Sequence, residues 1–568
     1  MKYQFQRLLL AAALAMLLHA AFAAPKPKKE LFVPMDYSTC GYRGADVPLP
    51  VVANVVFVEW SPGDCHSRLQ LAIDYVSGLK ADAEGRRGAV LLGPGRFVVG
   101  RPLRISASGV VVRGSGPQST VLAMSGVERG AAIYVEGSPI RVVSDTLRLS
   151  SDNVAAGSCD LQLAAGHALA AGDAVRIVRP CTAEWISHLG MDDFGGGLDY
   201  TGWKPTDVEM EWERTVMAAS DGRITLDAPL TTALSEAFGG AFVMKTDRRG
   251  ELRECGIENL CIDAFADQGP DRSLADEDHC WDGIWMEHAS DCWVRRVRFV
   301  HLAGSAVNLQ KHVRRVTVED CMAVQPVSEI GGWRRQVFLT RGQQTLFQRC
   351  LSRQGIHDFA AGYCAAGPNA FVQCEGEQSL GFSGSIGSWA PGLLFDIVNI
   401  DGGDLAFRNL EQFQFGTGWN TANSMFWQCT ASTIWCYSPD GDNRCSGHGC
   451  WATLTGNGEW TSSNDHVQPR SLYYSQLAAR RPDGGTPAPH LLPMNTAASS
   501  SPAPEEAALM ARQSLTVPRL TLEMWLDSIP YEASTDPSGL KRLKDVPRVE
   551  NGPMQPRFAV SGGWLTAG

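Results

Sequence analysis

The sequence is short of several things, and each shortage removes a class of protein. Beyond the first two dozen residues no apolar run is long enough to cross a bilayer. No stretch carries a sustained 3.6-residue apolar period, so helical bundles and helical repeats are excluded. Positive charge is in deficit: the formal net charge is −11, which argues against nucleic acid as the main partner. The L-x-x-L-x-L-x-x-N pattern of leucine-rich repeats is missing. So is the EF-hand spacing of acidic residues.

Turn formers, by contrast, are plentiful, with Gly 58 and Pro 31 in 568 residues. At the start, Lys2 and Arg7 precede an apolar run over residues 8–18, and Ala21-Phe22-Ala23 is an A-x-A cleavage site. A Sec-type signal over 1–23, cut near Ala23, is therefore expected. The chain is expected to be periplasmic or secreted, with no membrane anchor. The 16 cysteines would then sit where disulfides are permitted. Connectivity cannot be derived, but Cys40 with Cys65, Cys159 with Cys181, and a pair among Cys436, Cys445 and Cys450 are the expected bonds.

Repetition is the most informative feature. Val318-Glu319-Asp320-Cys321, Phe347-Gln348-Arg349-Cys350, Phe371-Val372-Gln373-Cys374, Phe395-Asp396-Ile397-Val398 and Phe426-Trp427-Gln428-Cys429 share one pattern. Their last residues are 29, 24, 24 and 31 positions apart. Odd spacing places the first and last residue of each unit on opposite faces of a straight strand, so the cysteine is expected at a corner. Short strands divided by Gly, Asn and Asp predict a coil of roughly 25 residues, stacked at the strand spacing of about 4.8 Å. That is a parallel β-helix.

The N-terminal part adds a family likeness. Residues 91–99 (Leu-Leu-Gly-Pro-Gly-Arg-Phe-Val-Val), 103–105 and Gly109-Val110-Val111-Val112-Arg113-Gly114-Ser115-Gly116 resemble the first coils of the pectate-lyase superfamily. The resemblance covers roughly residues 55–125 and 250–460. It implies an all-β, right-handed, single-stranded parallel β-helix and a polysaccharide lyase or glycoside-hydrolase-like protein. It does not fix the reaction, because that superfamily holds lyases, hydrolases and phage tailspikes. The Arg-x-Pro-x-x-Arg of typical pectate lyases is missing, as are the N-T-D and Asp pair that accompany G-H-G in polygalacturonase-type hydrolases.

The expected organisation is a signal peptide at 1–23, N-terminal coils at 24–143 and an inserted small β-barrel-like domain at 144–246. The main β-helix follows at 247–481, then a Pro/Ala/Ser-rich linker at 482–508 and a C-terminal tail at 509–568.

Charge is unevenly spread. Residues 293–357 hold 11 Lys or Arg and three acids, whereas residues 263–291 hold nine acids and one Arg. In stacked coils such blocks become stripes, which suits an acidic polysaccharide or oligosaccharide gripped by guanidinium groups. Asp276, Asp278 and Asp282 are the candidate ligands for a Ca2+ ion. Trp333, Arg334, Arg335 and Arg341 are the candidate substrate-binding residues, with Trp333 as a sugar platform. Glu329 lies 11 residues after Val318 and Asp358 lies 11 after Phe347, which predicts that they stand one rung apart. With His357 and Arg353 they make the candidate catalytic group. The leading expectation is β-elimination on a uronic-acid-containing glycan, with His357 or an Arg as base. The alternatives are a hydrolase using the pair Glu329 and Asp358, or a non-catalytic glycan-binding β-helix.

Overall fold

In the computed structural model, residues 31–195, 202–264, 275–481, 508, 512, 521–530 and 535–545 are described. The expected signal segment and nearly all of the expected linker lie outside the described residues. Strands of successive turns pair in parallel along three rows, which is the winding of a parallel β-helix. It is also the architecture implied by the likeness to the pectate-lyase superfamily.

The first row begins at Asn54–Val58, pairs it with Gly88–Leu92, and ends at Glu459–Thr461. The second begins at Gly95–Val99 and runs through Met322–Val324 and Leu351–Arg353. The third contains Leu103–Ile105, Ala131–Glu136, Asp282–Glu287, Val307–Leu309, Gln336–Thr340 and His357–Ala361.

The anchor repeat has a backbone cause. Between the first and second rows the chain turns through one residue at positive φ in each coil: Asn259 (55°), Arg296 (55°), Asp320 (57°), Arg349 (51°), Gln373 (53°) and Gln428 (51°). A left-handed residue breaks the strand alternation. Phe347 and Cys350, three apart, therefore both point inward, as do their counterparts in the next coils. Equivalent side chains then stack: Phe347 on Phe371 at 5.0 Å and Phe371 on Phe395 at 4.8 Å between ring centroids.

All 16 cysteines are free thiols, which corrects the expected disulfides. Cys321, Cys350, Cys374, Cys429 and Cys450 fill the same inner corner as small apolar groups, and Cys350 shares thiol hydrogen bonds with Cys321 and Cys374. Cys40 lies instead beneath the Pro368 carbonyl, and Cys65 starts the helix His66–Ser77, so those two thiols have separate surroundings.

Residues 141–247 build a second sheet of seven antiparallel strands. It falls in sequence between Ala131–Glu136 and Asp282–Glu287, yet these two strands pair directly, so the winding continues across it. Its apolar cluster includes Trp185 and Trp212 and takes Cys364, Ala366, Trp389 and Ala422 from the coils. The sheet order is open rather than closed into a barrel. From Pro34 onward the described residues form one compact unit, so this sheet shares a core with the coils.

Outside the first row, the helix Leu472–Arg480 clamps the segment at residues 35–46. Tyr473 donates to the Cys40 carbonyl at 2.7 Å, and Arg480 donates to Ser38 and Gly44. Asp396, fully buried, accepts from the Ser471 hydroxyl (2.6 Å) and the Tyr473 amide (2.8 Å) at the start of that helix. Burial pushes its carboxyl up to about 7.

Two outcomes are expected. Phe371→Ala removes a ring from the middle of the stack and costs about 3–5 kcal/mol, read as a lower urea midpoint. Asp396 holds its proton in the folded state to a higher pH than in the unfolded chain. Its contribution is thus full below the unfolded carboxylate range and is lost as pH rises through about 7. Asp396→Asn should match the wild type in acid and unfold at higher urea near pH 8. A wild type whose midpoint falls no faster than the variant's across that window would contradict this.

Candidate active site

The outward side of the third row carries the clearest grouping of functional side chains. Strand alternation points Tyr134 and Glu136 to one side, and likewise Trp285 and Glu287. The parallel register pairs Tyr134 with Trp285 and Glu136 with Glu287. Arg104 is the rung before Tyr134, and Asn308 the rung after Trp285. Two aromatic rings (centroids 6.4 Å apart) thus lie beside two carboxylates from consecutive coils. The Arg104 guanidinium sits 4.5 Å over the Tyr134 ring and donates to Glu136 at 2.5 Å.

A polar chain continues along the same face. Asp282 accepts from the Ser305 amide (2.6 Å) and from Asn308 Nδ2 (3.0 Å). Gln310 Nε2 donates to Asn308 (2.6 Å), and Arg341 donates to Gln310 Oε1 (3.1 Å). Burial raises the Asp282 carboxyl, opposed by the Ser305 amide, Asn308 and the charge of Arg341. Burial also raises Glu136, with the charge of Glu287 acting in the same direction; Arg104 opposes both without cancelling them. Burial lowers the Arg341 guanidinium, with Asp282 opposing. Arg341 makes no ion pair among the described residues.

The expected catalytic group does not assemble. Asp358 is rung-neighbour to Val337, as the pairs Gln336–His357 and Phe338–Phe359 fix, and not to Glu329. Glu329 is exposed in the loop before that strand. Asp358 is 1% exposed and accepts from Ser352 (2.5 Å) and Ser379 inside the coil. Burial raises its carboxyl. His357 is 3% exposed, pairs its Nδ1 with the Phe382 carbonyl at 2.8 Å, and packs against Phe382 and Phe413. Burial lowers it to about 4, so it is a neutral packing imidazole. Arg353 is held by Glu377 (2.5 Å) and Glu523 (3.0 Å).

The expected binding residues divide. Arg334 is bound to Glu277, with its guanidinium 5.6 Å from the Trp281 ring centre. Arg335 is turned to Ser328. Trp333, 51% exposed, is on the loop beside Arg334. Only Arg341 lies on the face just described. Much of the basic stripe is spent on carboxylates of other coils: Arg295 on Glu258, Arg314 on Glu251, Arg315 on Asp291 and Arg349 on Glu319 and Asp320.

The three candidate Ca2+ ligands also part company. Asp276 accepts from the Asp278 amide, Asp278 pairs with Arg129 (3.1 Å), and Asp282 is engaged as above. The described residues hold no group of three or more His, Cys, Asp or Glu side chains able to bind a metal, so these residues do not fit a cation site.

Glu136 and Glu287 were missed because 150 residues separate them in sequence, including the whole antiparallel sheet. A signal was nonetheless present: Ile133-Tyr134-Val135-Glu136 and Ile284-Trp285-Met286-Glu287 are one motif written twice.

Residues 458–568 match a family model described as Domain of unknown function (DUF6298). No curated protein matches the sequence. Among solved structures, the tailspike gp61 of Pseudomonas phage phi297 is similar at 13% identity, over 65% of each chain, with a TM-score of 0.30. The chain thus spans just under two thirds of that tailspike. Pectate lyase Pel9A is similar at 8% identity over 75% of this chain and 83% of that one (TM-score 0.34). The polygalacturonase from Erwinia carotovora ssp. carotovora is similar at 10% identity, over 74% and 98% (TM-score 0.32). No helix among the described residues is long and apolar enough to cross a membrane.

His357→Ala should lower the melting temperature and leave any glycan cleavage by the folded protein unchanged. A loss of about 100-fold, the scale of an acid–base group, would return His357 to the reaction.

Proposed function

We propose that this chain is a polysaccharide-cleaving β-helix, and that it hydrolyses its glycan with Glu136 and Glu287. The reading is carried by one observation: two glutamates from consecutive coils stand on adjacent rungs beside an aromatic floor. Rungs stand about 4.8 Å apart, near the roughly 5–5.5 Å that separates the carboxyls of retaining glycosidases. Glu136, whose carboxyl is raised by burial and by the charge of Glu287, is taken as the general acid to the leaving oxygen. Glu287 is the nucleophile at the anomeric carbon. Tyr134 and Trp285 offer flat apolar faces to sugar rings.

Arg341 supports an acidic substrate. Its guanidinium is desolvated, lacks a carboxylate partner among the described residues, and lies on the same outward face. A uronate carboxylate would supply that partner. This carries the expected substrate class from the basic stripe to a single residue. β-Elimination would need an arginine rather than His357 as its base, because His357 is buried.

The test is a panel of acidic and neutral glycans incubated with the purified protein. New reducing ends without absorbance near 235 nm are expected. Glu136→Gln and Glu287→Gln should each cut turnover by about 10²–10⁴-fold, with melting temperatures near the wild type. The alkaline limb of the rate profile should vanish in Glu136→Gln. Absorbance at 235 nm, or full activity in both variants, would overturn the assignment.

A further inference from the structure

The C-terminal segment returns along the body to the end where the winding starts. The helix Leu522–Ser528 sits on the outward side of the second row, with Leu522 buried against Met322, Val324 and Leu351, and Trp525 and Leu526 packed beside them. Polar contacts surround this apolar centre. Glu523 pairs with Arg353 at 3.0 Å, Asp527 accepts from Gln118 at 3.0 Å, and the Arg349 guanidinium lies 5.5 Å from the Trp525 ring centre. Thr521 caps the helix by accepting from the Met524 amide at 3.1 Å.

Further on, Lys541–Arg542 adds a parallel strand to Asn54–Val58, pairing Lys541 with Val56 and Arg542 with Phe57. Lys541 donates to the Tyr75 hydroxyl at 2.9 Å, the Arg542 guanidinium lies 4.8 Å over the Phe57 ring, and Arg542 is bound to Glu59. Leu543 packs against the apolar interior of the coils.

Asn54–Val58 is the first strand of its row. On one side it pairs with Gly88–Leu92, and the other side would be an open edge with unpaired backbone groups. Such an edge accepts an extended peptide through main-chain hydrogen bonds, with side-chain pockets setting specificity. Here the two-residue strand alone is too short to bind well, and the helix contacts on the second row supply the anchor. A weak strand contact tethered to an apolar anchor gains from effective concentration.

We infer that the open edge of Asn54–Val58 and the Met322–Val324–Leu351 slot form one peptide-acceptor surface. Its resident occupants are this chain's own residues 521–530 and 535–545, which act as a strap. The kind of partner the surface fits is an apolar, Trp-containing helical turn followed by a basic extended strand. The strap lies within the 458–568 region that matches the family of unknown function, and so gives that region a task in this chain. The inference is independent of the glycan-cleaving reading, because none of its contacts uses Glu136, Glu287 or their neighbours.

The test uses the full chain. A double variant, Leu522→Asp with Arg542→Pro, weakens the resident strap at its anchor and removes one strand amide. A fluorescein-labelled peptide of residues 521–545 with the natural sequence is titrated against this variant and against the wild type. Binding should be at least tenfold tighter to the variant, whose acceptor is vacated, and a peptide carrying Leu522→Asp should not bind. Equal binding to both proteins, or none to the variant, overturns the proposal. Should the double variant not fold, hydrogen exchange on the wild type decides: amides of Val56 and Phe57 should be as protected as those of Val90 and Leu91, and exchange at the rate of an open edge sinks the idea.

Discussion

Everything in this molecule depends on one constraint, that each coil must lay its strands directly on those of the coil before. Parallel pairing fixes the neighbour of every strand residue at a rung of about 4.8 Å. Like side chains therefore stack on like, whether phenylalanine on phenylalanine or thiol on thiol. The left-handed corner residues make this possible, since without them the inward series would flip to solvent after each bend. Asn, Asp, Gln and Arg occupy most of these corners, with Ile397 and Gly449 in two others, at a cost of roughly 1–2 kcal/mol for each residue with a Cβ. The ladder hydrogen bonds on both sides of each corner hold them there.

This constraint explains why the architecture was legible in the sequence and the candidate site was not. The Phe-x-x-Cys units mark a corner, and a corner must recur in every coil, so the winding could be read from them. Between corner and third row the chain is free to vary. From Cys350 to His357 there are seven positions, but from Cys321 to Gln336, the rung-mate of His357, there are 15. Counting from the anchor therefore slips by eight, and this moved Glu329 onto a rung that belongs to Val337. The carboxylate pair that does exist was visible as a twice-written Ile-aromatic-x-Glu motif. It was hidden because the two copies flank the antiparallel sheet, which hydrophobic patterning reads as a break in the repeat.

The charge blocks show a related effect. Read along the chain, they look like a basic surface beside an acidic one. Stacked, most of those arginines face carboxylates one coil away, several with neither partner exposed, such as Arg113 and Arg295 around Glu258. Buried pairs of this kind are weak evidence for stability, because desolvation offsets most of the attraction. They do make register expensive to change, since a slip of one residue would leave a charge unpaired inside the wall. Arg341, which makes no ion pair among the described residues, faces the candidate site.

The position of that site also follows from what covers the other two sides. The first row is overlaid by residues 35–46 and the helix Leu472–Arg480, and the second by the helix Leu522–Ser528. Beside the third row the antiparallel sheet makes the Lys311–Glu211 contact at 2.8 Å. Tyr134, Glu136, Trp285 and Glu287 remain half-buried beside it. Full exposure would leave both carboxyls ionised and repelling, and full burial would exclude a polymer. Half-burial raises one carboxyl while leaving the rung accessible, and that intermediate state is the one acid–base cleavage of a glycan requires.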